Sequence, residues 1–161
     1  MVGAGIVLAK VLAGIAAYEG LIYAGQLQER REVYSRAEAY AKQADKPLLV
    51  VGAPKLAFNH GCGDVTMDLS PKWLGSCPHG QVGDIRDIPY PNKHFGASFA
   101  SHVLEHLATP ADCAQALSEL DRVSDQVFIV VPRKDSIMAW MSPDHHLWVT
   151  PIPEGFLVEQ R

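Results

Sequence analysis

Apolar and polar positions divide the chain into three stretches. Residues 2–25, VGAGIVLAKVLAGIAAYEGLIYAG, are almost wholly apolar or small. About two dozen helical residues span roughly the 30 Å hydrocarbon core of a bilayer, so residues 1–25 are read as a transmembrane helix. Lys10 and Glu19 interrupt the run. A charge at the bilayer centre costs about 2.5–3.5 kcal/mol, so Glu19 is expected at one surface and Lys10 to stretch toward the N-terminal side. Residues 26–46 turn polar but keep Leu27, Val33 or Tyr34, Ala37 and Tyr40 or Ala41 at helical spacing. That pattern predicts a connecting helix packed on the domain that follows, ended by Asp45-Lys46-Pro47.

From residue 47 to 161 the pattern changes to short apolar runs. Leu48-Leu49-Val50-Val51 and Val127-Phe128-Ile129-Val130-Val131 are continuous, as strands buried on both faces are. Val65–Leu69, a brief run between His79 and Asp84, and Phe95–Ala100 supply three more strands. Pro110–Arg122 reads as a helix with Ala114, Leu117 and Leu120 on its buried side. Past Ser101 the chain is expected to enter a helix carrying Glu105 and His106. Leu147-Trp148-Val149 and Gly155–Val158 predict a closing hairpin. Strands alternating with helices give an α/β fold with a mainly parallel sheet.

Composition adds three constraints. A length of 161 residues suits one domain beside the anchor. A net charge of −4 gives no electrostatic ground for a nucleic-acid partner. Cys62, Cys77 and Cys113 are odd in number and at no framework spacing, which argues against disulfides and for a reducing compartment. No basic n-region precedes the apolar run, unlike a signal peptide. Arg30 and Arg31 follow it closely, which predicts a single-pass protein with its C-terminal domain in the cytoplasm. Gly3, Gly14, Gly20, Ala9, Ala13 and Ala17 leave small surfaces where a partner membrane protein's helix could approach.

The run from Gly83 to Leu107, GDIRDIPYPNKHFGASFASHVLEHL, resembles the middle of a class I S-adenosylmethionine-dependent methyltransferase of the type 11-like kind. The resemblance implies a Rossmann-like, abbreviated class I methyltransferase fold. It also implies sites beyond the carboxyl ends of the strands, where open parallel sheets bind ligands. Gly52 would let the cofactor approach the backbone, and Asp68 would accept its ribose hydroxyls. Asp84 would bond the adenine amine while Ile85 covers the ring. Ser101 and His102 would lie near the methionine part and the acceptor. Asp144-His145-His146-Leu147-Trp148 falls where relatives form the substrate mouth, so His102 and His145 are the candidate bases.

One departure stands out. Where the family reads like GxGxG, this chain has Gly52-Ala53-Pro54-Lys55-Leu56, and only Gly52 keeps register. Two readings follow. One is a membrane-anchored methyltransferase for a small or lipid-like acceptor. The other is a non-catalytic, methyltransferase-like subunit of a membrane assembly. His102-Val103-Leu104-Glu105-His106 also matches the HxxEH zinc-peptidase pattern, but the flanking text favours a methyltransferase with no metal. His60 and Cys62 with Cys77 and His79 have gaps unlike zinc spacings and read as loop residues.

Overall fold

A computed structural model describes residues 2–54 and 61–161, with only the helical backbone given for residues 2–4. The N-terminal stretches form one continuous helix, α1 (Val2–Gln43), with no break between the apolar and polar parts. The two parts differ in what they touch. Ile6, Val7, Leu8, Val11, Leu12 and Ile15 all face outward. Ala37 and Ala41 are buried, and Tyr34 stands edge-on to Phe99 with ring centroids 5.5 Å apart. A helix long and apolar enough to cross a membrane thus runs on into the globular domain.

The sheet is five-stranded and parallel, in the order β3-β2-β1-β4-β5. Its strands are β1 (Leu48–Val51), β2 (Val65–Asp68), β3 (Gly80–Val82), β4 (Phe95–Ser101) and β5 (Ser124–Val130). The order reverses at β1, which pairs with β2 on one side and β4 on the other. Strand alternation sends Leu48, Val50, Ala97 and Phe99 to the face that α1 covers. Leu49, Val51 and Ala100 face the other way, onto Leu120 and Val123 of α2 (Pro110–Val123). The same core takes Leu147 and Val149 from β6 (Leu147–Ile152), which pairs antiparallel with β7 (Gly155–Gln160). The fold is thus Rossmann-like, with a mainly parallel sheet behind a long apolar helix.

The structure corrects three expectations. The segment after β4 is not a helix but a single 3-10 turn, Leu104–His106. Thr109 begins α2 so soon afterwards that nothing longer fits: its side chain accepts the Asp112 N–H at 3.1 Å, and Pro110 takes the first helical position. Strand β5 starts at Ser124, three residues earlier than the apolar run, because Ser124 pairs in register with Phe95. Cys62 and Cys77 form a disulfide with their Cα atoms 5.6 Å apart. It ties the approach to β2 to the 3-10 helix Pro71–Ser76 that leaves it.

Candidate functional site

A cavity of about 470 Å³ opens beyond the carboxyl ends of the strands. This is within the usual range for small-molecule sites. One end is built by the turns that leave β1, β2 and β3. Gly52 sits at φ +87°, and a Cβ there would stand 2.7 Å from Val103 Cγ2, so glycine is required by both conformation and space. The Ala53 N–H donates to Asp68 Oδ2 at 2.9 Å, and the Ser70 N–H donates to Asp68 Oδ1 at 2.8 Å. Each carboxylate oxygen keeps a further lone pair, and Asp68 lines the cavity. Ile85 is buried beside it, and Trp73 forms part of the wall.

The other end collects side chains from four segments. Ser101 closes β4, and its Oγ is buried without a hydrogen-bond partner among the described residues. His102 follows in the left-handed region at φ 53°, while its N–H donates to Val130 O at 2.9 Å. Non-glycine residues hold that conformation at a cost, and such strain concentrates at functional sites. The Glu105 carboxylate is 1% exposed and lies 3.5 Å from His102 Nδ1. Arg30, 4% exposed, reaches the cavity from α1. Burial pulls its pKa down, and the nearby Glu105 charge opposes that shift. His106 Nδ1 lies 2.9 Å from Asp144 O. A carbonyl only accepts, so Nδ1 is the donor in this contact. The His145 ring stands edge-on to His106 at 5.0 Å. Burial, reinforced by His106, holds the His145 pKa below the ordinary histidine value.

Of the residues singled out from sequence, Gly52, Asp68, Ile85, Ser101, His102 and His145 therefore line one cavity. Asp84 is not among its lining residues. Its carboxylate is claimed by Arg86, whose Nη2 donates to Oδ2 at 2.6 Å and whose Nη1 donates to Asp112 Oδ1 at 2.7 Å. Those hydrogen bonds hold the Asp84 pKa low and stitch the exit of β3 to the first turn of α2. Asp144, in the stretch expected at the substrate mouth, lines it too, whereas Arg30, Trp73, Glu105 and His106 line the cavity but were not assigned to it from sequence.

The zinc-peptidase pattern needs a helix through both histidines, and none exists: His102 precedes the 3-10 turn that holds His106. A different trio meets instead. Ligand atoms of Glu105, His106 and His145 lie within 4.8 Å of one another. Arg30 and His102 already crowd Glu105. Cys62 and Cys77 are bonded to each other and so provide no thiolate. His60 lies outside the described residues, as does the Lys55–Asn59 part of the glycine-poor loop.

Residues 50–127 match a family model described as a methyltransferase domain. A search of curated proteins finds none that matches the chain.

Proposed function

We propose that this chain, which matches a methyltransferase-domain model over residues 50–127, is a class I S-adenosylmethionine-dependent, membrane-anchored enzyme that methylates a small or lipid-like acceptor. The observation that carries the reading is the convergence of Asp68, Ile85 and Gly52 with His102 and His145 in one cavity at the strand ends. Gly52 and Asp68 would hold the amino-acid and ribose parts of the cofactor, Ile85 would cover its adenine, and Ser101 would bond it near the methionine. When bound, S-adenosylmethionine supplies an electrophilic methyl carbon whose bonding electrons return to sulfur as an acceptor lone pair forms the new bond. The protein's part is to align the acceptor with that carbon and to exclude water. His145, kept neutral by burial, or His102 would take the acceptor's proton.

One observation favours the second reading, a non-catalytic subunit of a membrane assembly. Asp84, which the family would use on the adenine, is engaged by Arg86 instead. A titration separates the two. If the enzyme reading is right, S-adenosylhomocysteine binds in the micromolar range or tighter, about −8 kcal/mol. Asp68→Ala then weakens binding by about 1.5–3 kcal/mol, and Asp68→Asn by less. An absence of saturable binding assigns the chain to the second reading.

The domain's side of the membrane is argued from two features that disagree. Arg30 and Arg31 after the apolar run favour the cytoplasm. The Cys62–Cys77 bond favours an oxidising compartment. We propose the cytoplasmic side, because the arginine bias acts when the helix inserts, before any disulfide can form.

A further inference from the structure

We infer that α3 (Ile137–Met141) is a second membrane contact, lying in the boundary between lipid headgroups and acyl chains and holding the cavity toward the bilayer. The inference rests on the membrane-anchor reading of α1. Two independent observations carry it.

The first is the direction of α1. Its Arg30 lies at the cavity, beside Val51 and Ser101 at the carboxyl ends of β1 and β4. Tyr34 packs on Phe99 in mid-strand. Ala41 packs at the start of β4, where a Cβ on Gly96 would stand 2.9 Å from the Ala41 Cα. Just past the helix, Lys46 Nζ donates to Asp125 Oδ2 at 2.7 Å near the start of β5. Moving away from the apolar half, α1 therefore passes the carboxyl ends of the strands first and the amino ends last. The ligand-binding edge of the sheet is the edge nearest the membrane.

The second is the height of α3. The Tyr18 hydroxyl donates to Asp135 O at 3.1 Å. The Ser136 hydroxyl and the Ile137 N–H donate to the Glu19 carboxylate at 3.1 and 2.6 Å. Glu19 is one of two charges in the apolar run, and these donors satisfy it. They also fix α3 at the level of Glu19, the charge expected at a membrane surface; residues 2–18 before it rise about 25 Å, most of the hydrocarbon thickness. At that level α3 exposes Met138 (64%), Trp140 (54%) and Met141 (71%). Arg161 holds the far end of α3 by donating to Ala139 O and Trp140 O. A rigid, aromatic and thioether-rich surface at an interface is what a bilayer accepts and water does not. The chain then passes from α3 directly to His145 in the cavity wall. An acceptor would thus reach the cavity from the lipid side, carried on a membrane-resident lipid.

Tryptophan depth tests this in the full-length chain, reconstituted in phosphatidylcholine vesicles. Trp73→Phe is the background, leaving Trp140 and the buried Trp148. Lipids brominated near the headgroup should quench most of the exposed emission, and lipids brominated near the chain terminus much less. Adding Trp140→Phe should remove that quenching, and Met138→Glu with Met141→Glu should reduce it without unfolding the domain, since both side chains are exposed. Vesicle-bound protein whose Trp140 is quenched by aqueous acrylamide but not by brominated lipid overturns the inference and leaves the anchor standing. Protein that does not float with vesicles at all overturns both.

Discussion

The two ends of the cavity are built in different ways. At the end formed by Gly52, Asp68 and Ile85, backbone does most of the work: a left-handed glycine, and an acid held by two N–H donors. Those features follow from three adjacent strands stopping at the same edge. At the other end the side chains of Arg30, Glu105, His106 and His145 come from α1, a 3-10 turn and the segment after α3. Only Glu105 and His106 are neighbours in the sequence; Arg30 and His145 reach them through the fold. In the enzyme reading, the first end would take the cofactor and the second the acceptor.

The largest expected effect belongs to the Cys62–Cys77 bond, which joins the approaches to β2 and β3 at the amino ends of the strands, the edge away from both ends of the cavity. Its loop has a sequence separation of 15, for which loop closure contributes about 3 kcal/mol. Cys62→Ser and Cys77→Ser should each lower unfolding free energy by about that amount. Reductant should do the same to the unmodified protein and nothing further to the variants. Denaturant titration in detergent reads this directly. Maleimide labelling of native membranes then shows whether the thiols are paired in the cell; free thiols would place the domain on the reducing side.

A smaller effect is expected at Gly52. Forcing a side chain into the left-handed region costs about 1–2 kcal/mol, and the new Cβ also presses on Val103. Gly52→Ala should therefore weaken S-adenosylhomocysteine binding more than it weakens the fold. Adding Val103→Ala should recover the steric part and leave the conformational part. Full recovery by Val103→Ala would mean that the backbone at residue 52 is freer than its φ implies.

The same contrast explains what the sequence revealed. The strands, their parallel sheet and the position of Asp68 were legible because continuous apolar runs and a terminal acid are local signals. The fate of Asp84 was not legible, because Arg86 and Asp112 meet it only once α2 docks on the exit of β3. Glu105 and His106 were expected on a helix, yet Thr109 and Pro110 start a new one too soon. Cys62 and Cys77 flank a strand, and only the fold of the two connections brings them close. Arg30 read as a charge that orients the helix in the membrane; its place in the cavity depends on how α1 crosses the sheet.

The smallest expected effect belongs to the other end and concerns pH. Burial, with the neighbouring His106, holds the His145 pKa below the free value of about 6.5. A folded-state pKa below the unfolded one means that the unfolded chain binds the proton more readily. Stability from this group is therefore complete above about pH 6.5 and is lost as pH falls through the window beneath it. His145→Gln should remove that part of the pH dependence and leave the acid-range part set by Asp84 and Asp112, whose pKa values Arg86 and Thr109 hold low. In the enzyme reading the same shift keeps the base neutral at mildly acidic pH, so methyl transfer should persist somewhat below about pH 6.5 before it declines. Unfolding midpoints between neutrality and about pH 5 test the structural half of this, and initial rates over the same range test the chemical half. Midpoints that rise on acidification in the unmodified protein, and not in His145→Gln, would reverse the sign and show that the folded state favours His145 in its charged form.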